Sequence, residues 1–381
     1  MKEFREGVRP SPGAASWNAQ GSMIIHSATP CSPRSARGRA HSGSWINVLA
    51  LLLLAASSAF TADIQATQQT NRPTFTNPIV ASGADPWVIR WQGDYYFCQA
   101  RRGGIWINKS SRLLDIGKGN WTRVWTPPRG TNYSKEVWAP ELHYLRGKWF
   151  IYVAADDGDN ANHRMFVLEG SSQNPQEPFI FRGKLNAPTD RWAIDGTVLQ
   201  MPGDKLYFLW SGWDGTENVA QNLYIAPMSD PLTISGERVC ISRPEHDWEK
   251  RGQPLINEGP QVLWHGDKLF VIYSASGSWG DDYCLGQLAW SGGDVLDSKS
   301  WVKKPTAVFS RAEKVFGPGH CSFVKSRDGS EDWIVFHTAK YSGAGWKRQV
   351  QTQRFTWNPD GSPKFGEPVP VGVPLLVPGG D

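Results

Sequence analysis

The chain is 381 residues long, with 40 Lys and Arg against 36 Asp and Glu. Six of the bases and two of the acids fall in residues 1–62, so residues 63–381 carry 34 of each and are formally neutral. With neither a basic patch nor a polybasic segment in that portion, binding to nucleic acid or to anionic membrane by charge is excluded, and the partner is expected to be uncharged or small.

Residues 1–45 are rich in Ser, Arg, Pro and Gly and show no apolar period. An apolar run from Ile46 to Ala56 follows Arg34, Arg37 and Arg39 and ends in Ser57-Ser58-Ala59, the layout of a secretory signal. It is shorter than the roughly 20 apolar residues needed to span a bilayer. Residues 1–62 therefore read as a leader that is removed. Residues 63–381 read as one domain without a membrane span, secreted to the periplasm or outside the cell.

No sustained helical period appears after residue 62. Aromatic and β-branched runs of four to seven residues are punctuated instead by Gly, Pro, Asn and Asp, which predicts an all-β chain of many short strands. Five stretches read as hairpins, and each opens on an ionisable side chain: Asp85, Glu141, Asp195, Glu258 and His320. After the turns, Tyr95, Trp149, Leu206, Leu269 and Trp333 stand in equivalent places, 54, 57, 63 and 64 residues apart. Between the hairpins, segments such as Ile105–Lys109 with Thr122–Trp125, Met165–Glu169 with Phe179–Lys184, and Cys284–Ala289 with Val302–Phe309 suit two outer strands per unit. Four strands in each of five units predict a five-bladed β-propeller, with four-stranded antiparallel blades around a central channel. In that fold the starts of the first strands meet at one mouth, so four carboxylates and a histidine would face a common space.

Four cysteines remain after the leader, Cys98, Cys240, Cys284 and Cys321; their spacing fits no zinc pattern and is too sparse for a disulfide scaffold. Cys98 and Cys284 fall in predicted strands. Eighteen tryptophans also remain. Those in strands are expected to fill the gaps between sheets, while loop tryptophans beside acids, among them Trp87, Trp138, Trp192, Trp279 and Trp346, suit a sugar site. An indole can stack on the apolar face of a sugar ring while carboxylates take its hydroxyls.

Ala84-Asp85-Pro86, Trp138-Ala-Pro-Glu141, Ile194-Asp195-Gly196, Asn257-Glu258-Gly259-Pro260 and Gly317-Pro-Gly-His320 resemble, in order, the signature blocks of glycoside hydrolase family 43. The resemblance covers nearly all of residues 77–381 and implies a five-bladed propeller. It implies an inverting glycosidase in which Asp85 is the general base, Glu258 the general acid, and Asp195 a carboxylate that orients the acid and raises its pKa. Inversion needs one ionised and one protonated carboxyl group, about 6.5–9.5 Å apart to admit a water. Trp138 and Trp87 are expected as sugar-binding walls, Glu141 as an acceptor for a sugar hydroxyl or a structural partner of His143, and Arg348 as an arginine aimed at the sugar and the acids. His320 resembles a family histidine near the channel axis, where it could hold a structural Ca²⁺ through water; no cofactor is required for the chemistry. The blocks resemble most the α-L-arabinofuranosidase branch that trims arabinan from its ends, with oligo- or polysaccharide as the partner. The alternatives are β-xylosidase on the same machinery and a secreted sugar-binding propeller without catalysis.

Overall fold

The computed structural model describes residues 72–381; the expected leader, residues 1–62, lies outside them. Among the described residues helix is confined to four single-turn 3₁₀ segments, and no helix is long and apolar enough to cross a membrane. The chain is all-β.

Five antiparallel groups of strands follow one another. The first holds Trp87–Trp91, Asp94–Arg101, Gly104–Ser110 and Trp121–Trp125, and the second Lys135–Leu145, Lys148–Asp156, Arg164–Gly170 and Phe179–Leu185. The third holds Ala193–Met201, Lys205–Trp213, Ala220–Asp230 and Val239–Ser242, with the short strand Thr233–Ile234 added to its third member. The fourth is Leu255–His265, Lys268–Ala275, Cys284–Trp290 and Trp301–Lys303, and the fifth Phe316–Lys325, Asp332–Ala339, Arg348–Trp357 and Pro363–Lys364. The third and fourth groups join into one nine-stranded sheet, because Ala220 and Gln221 pair in parallel with Leu255 and Ile256.

The hairpins form where the sequence places them, and for a local reason. Trp91 faces Asp94 and Leu145 faces Lys148 across two-residue turns, Gln92-Gly93 and Arg146-Gly147, in which all four residues have positive φ. That is the turn whose twist matches the twist of antiparallel strands. The predicted strand Val302–Phe309 is cut short. It pairs only over Trp301–Lys303, and Phe309 returns as an isolated bridge to Leu285; Pro305, which lacks an N–H, lies between them. One pairing carried no periodic signal: Thr74–Thr76 pairs with Pro374–Leu376, tying the two ends of the described chain together.

The core lies between the sheets. Each of five apolar clusters joins two neighbouring groups: Ile107 and Ile151 join the first and second, Tyr152 and Phe208 the second and third, and Ile225 and Val271 the third and fourth. Ile272 and Phe336 join the fourth and fifth, and the fifth cluster, with Val335, Trp333 and Phe97, brings the last group back against the first. Trp149 and Trp333 are almost wholly buried, as expected of inter-sheet fillers. The four cysteines are unpaired, and Cys98 and Cys284 are buried in strands.

Candidate active site

A backbone irregularity repeated at the start of every sheet builds the site. A left-handed residue with φ between 42° and 55° stands there in each, Asp85, Ala139, Asp195, Gly259 and His320, with Glu136 and Gly317 as a second one in the second and fifth sheets. In the last four sheets it falls in a break of register, between Trp138 and Glu141, Ile194 and Thr197, Glu258 and Gln261, and Gly319 and Cys321. Such a bulge bends the strand and re-aims the side chains beside it. Only one of the five residues is glycine. A left-handed conformation costs other residues of order 1–3 kcal/mol, a cost that clusters at functional sites.

This equivalence corrects the alignment of the repeats. Glu258 precedes its left-handed residue, so its counterpart in the second sheet is Trp138. Glu141 stands two residues beyond, matching Gln261. These two counterparts bond each other, the Gln261 amide donating to Glu141 Oε1 while Oε2 lies 2.9 Å from His143 Nε2. Glu141 is thus buried as the partner of His143 and Gln261 and does not line the cleft. Trp87, likewise two residues past Asp85, is also placed away from the cleft. Its indole N–H donates to the Leu142 carbonyl at 2.8 Å, and its ring lies 4.6 Å from the imidazole of His143.

The other expected residues do meet. Asp85, Asp195, Glu258, His320 and Arg348 line one cleft of about 580 Å³, walled by Trp138, Trp192, Trp279 and Trp346. Trp279 and Trp346 cross edge-to-face at 6.3 Å and are 37% and 70% exposed, which leaves indole surface at the rim.

Three nitrogens surround Asp85 Oδ1. Nδ1 of His320 lies 3.3 Å away, Nδ1 of His337 3.2 Å, and Nη1 of Arg348 3.4 Å. Arg348 is anchored in turn, its Nη2 donating to the Ser278 carbonyl at 2.6 Å. The Asp85 N–H donates to His337 Nδ1 at 3.1 Å, which marks that ring as neutral, and burial pushes its pKa down to about 3. Burial also works to raise the Asp85 carboxyl, but His320 and Arg348 outweigh it and hold the group well below the usual carboxylate range. Asp85 stays ionised.

Glu258 has the opposite environment. Burial, with the Asp85 charge added, pushes it up to about 7, against the opposing pull of the Tyr283 hydroxyl, which donates to Oε1 at 2.8 Å, and of Arg348. Asp195 is buried beside it and is also pushed well up, by burial and by the charges of Glu258, Asp85 and Glu141, although Oδ2 accepts the Gly259 N–H at 3.1 Å. Two buried carboxyl groups that repel each other's charge titrate as a pair and keep a proton at neutral pH.

Tyr283 and His337 were missed in the sequence. Both lie within or beside strands of apolar residues, and their rings stack at 5.6 Å and 9°. The Tyr283 hydrogen bond favours the ionised form of Glu258, so its loss raises the pKa of that acid. Tyr283→Phe is expected to move the basic limb of the kcat/KM–pH profile to higher pH; an unmoved limb would remove Tyr283 from the account. Gly196, next to Asp195, is needed for close approach: a Cβ there would meet Phe208 Cζ at 2.1 Å and Met165 Cε at 2.8 Å. Gly196→Ala is expected to lower stability by about 1–3 kcal/mol, read by urea denaturation, as overpacking does.

A Ca²⁺ takes six to eight oxygens, whereas His320 offers a nitrogen and one oxygen each of Asp85, Asp195 and Glu141 is engaged by Arg348, Gly259 and Gln261, so an ion there would be held through water. No step below runs through such an ion.

An all-β scaffold that holds one carboxyl group ionised and another protonated across a tryptophan-walled cleft has what glycoside hydrolysis requires. A sequence profile for glycosyl hydrolases family 43 matches residues 75–363, and the chain belongs to that family. It is 35% identical over 314 residues to an extracellular exo-alpha-(1->5)-L-arabinofuranosidase of Streptomyces avermitilis, covering 79% of this chain and 65% of that protein. It is 33% identical to alpha-L-arabinofuranosidase 43 of Humicola insolens, covering 78% of this chain and 64% of that one. The crystal structure of an alpha-L-arabinofuranosidase from Lactobacillus brevis superposes with a TM-score of 0.73 at 35% identity, covering 78% of this chain and 98% of that one.

Proposed function

We propose that the chain is a secreted, inverting α-L-arabinofuranosidase on a five-bladed β-propeller, releasing terminal L-arabinofuranose from arabinan or arabinose-substituted polysaccharide. The propeller reading is supported by five clusters that link each sheet group to the next and the last to the first. Secretion is supported by the apolar run at 46–56 and by the extracellular relatives.

The observation that carries the chemistry is the opposed protonation of Asp85 and Glu258 across one cleft. Ionised Asp85 takes a proton from a water, which attacks the anomeric carbon. Protonated Glu258 gives its proton to the departing glycosidic oxygen, so the leaving group departs neutral. Asp195, bonded to the amide of the residue after Glu258, orients the acid and, raised along with it, shares the proton that the pair keeps at neutral pH. Arg348 and His320 hold the base in place, and Trp138 offers a flat wall to the sugar ring. Three converging acids are more than a binding module needs.

The test is turnover of nitrophenyl α-L-arabinofuranoside and nitrophenyl β-D-xylopyranoside, with product analysis on arabinan. Arabinose as the product, first seen as the inverted anomer by proton NMR, is expected. Xylose released in preference would make the chain a β-xylosidase, and sugar binding without turnover would make it a lectin.

A further inference from the structure

Behind the Trp138 wall lies a cluster that the hydrolytic chemistry does not use. Asp156 ends the strand that pairs with Lys135–Leu145, His163 closes the 3₁₀ turn Asn160–Asn162, and Glu136 stands two residues before Trp138. Asp156 and His163 are both 0% exposed, whereas Glu136 is exposed and lines the cleft. The imidazole of His163 stacks on the Trp138 indole at 4.0 Å.

Hydrogen bonding fixes the state of the imidazole. His163 Nε2 lies 3.0 Å from the Glu136 carbonyl, which only accepts, so Nε2 carries the proton. Nδ1 then presents a lone pair. It lies 3.0 Å from Asp156 Oδ2, yet the contact lacks hydrogen-bond alignment, and neither atom has a hydrogen-bond partner among the described residues. The other carboxylate oxygen, Oδ1, is occupied by the Gly158 N–H at 2.8 Å. Two buried acceptors set side by side without a donor are costly.

A cation between the two acceptors satisfies both. We propose that Glu136, Asp156 and His163 form a binding site for one borderline divalent cation of the Zn²⁺ or Mn²⁺ type, which braces Trp138 from behind. One nitrogen and two carboxylates favour such an ion over Ca²⁺, which prefers an all-oxygen shell. Two carboxylates also balance its charge. The three donor atoms lie within 4.8 Å of one another, whereas two ligands at about 2.1 Å from a Zn²⁺ can stand at most about 4 Å apart. Glu136, exposed and on a flexible stem, is the member able to close that gap.

The experiment uses the full chain, dialysed against EDTA and titrated with ZnCl₂, MnCl₂ or CaCl₂ while bound metal and tryptophan fluorescence are followed. One equivalent of Zn²⁺ or Mn²⁺ with a fluorescence change is expected, weakened at least tenfold by Glu136→Gln and abolished by His163→Gln. Glu136→Gln changes only an exposed side chain, so a folding failure of the His163 variant does not blunt the test. Binding of neither transition metal, binding that Glu136→Gln leaves unchanged, or binding of Ca²⁺ alone would overturn the proposal. The readouts are binding and fluorescence, so they stand apart from whether the enzyme releases arabinose.

Discussion

Glu258→Gln is expected to slow hydrolysis of arabino-oligosaccharides by about 10²–10⁴-fold, the span that loss of a general acid produces. The substitution is nearly isosteric and keeps the oxygen that accepts the Tyr283 hydroxyl, so what is lost is the proton. A sugar alkoxide is a poor leaving group without that proton, whereas dinitrophenolate leaves unaided. The same variant should therefore lose far less on dinitrophenyl α-L-arabinofuranoside than on the oligosaccharide. Equal losses on both substrates would remove Glu258 from the role of acid.

Asp85→Asn is expected to be at least as damaging, and on both substrates alike, because the water must be deprotonated whatever the leaving group. The amide cannot take that proton. The substitution also leaves Arg348, 3.4 Å from the acceptor oxygen, without its counter-charge, so the cleft gains net positive charge where the attack occurs. Loss on the oligosaccharide with activity retained on the dinitrophenyl glycoside would assign Asp85 to the wrong half of the reaction. Glu258→Gln and Asp85→Asn thus separate acid from base by leaving group, a distinction that loss of activity alone cannot make.

Much of the fold is local and so legible in the residues. Gln92-Gly93 and Arg146-Gly147 are turns whose φ preferences act within four residues, and the runs beside them alternate or fill as strands must. The motif positions Asp85, Asp195, Glu258, His320 and Arg348 were also legible, and the structure gathers them in one cleft. What failed was phase. Trp138-Ala-Pro-Glu141 and Glu258-Gly-Pro-Gln261 are the same bulge, but a reading that aligns acid with acid sets Glu141 against Glu258 and leaves it open between the sugar and His143, where the structure puts it beside His143. The bulge is recognised by the left-handed residue at its centre, and side-chain type does not mark that residue when it is alanine. Trp87 was misplaced for the same reason, being two residues past Asp85 and so one level down. Tyr283 and His337 were invisible because a polar atom on an aromatic ring inside an apolar strand looks like core until its partner is known.

The bulges also explain how a rigid scaffold carries a site of this kind. Each acid sits on or beside a backbone position that disfavours it, and the neighbouring sheet supplies what holds it there. Asp195 accepts the amide N–H of Gly259 from the fourth group, and from the fifth Asp85 meets His320 and Arg348 at its carboxylate and His337, which accepts its backbone N–H. A site assembled across sheets in this way depends on the packing between them, so inter-sheet residues such as Phe208 bear on catalysis through the position of Asp195.

The most direct measurement is the pH dependence of kcat/KM for the wild type on dinitrophenyl and oligosaccharide substrates, beside Glu258→Gln on the dinitrophenyl glycoside. Glu258 raised to about 7 must be protonated to act, so on the oligosaccharide the rate should fall tenfold per pH unit above that value. Asp85, held low, must be ionised to act, so the acid limb should lie below the ordinary carboxylate range. Glu258→Gln should lose the basic limb and keep the acid one. A basic limb that survives in that variant, or a wild-type rate on the oligosaccharide that does not decline above pH 7, would contradict the division of charge between the two carboxyl groups.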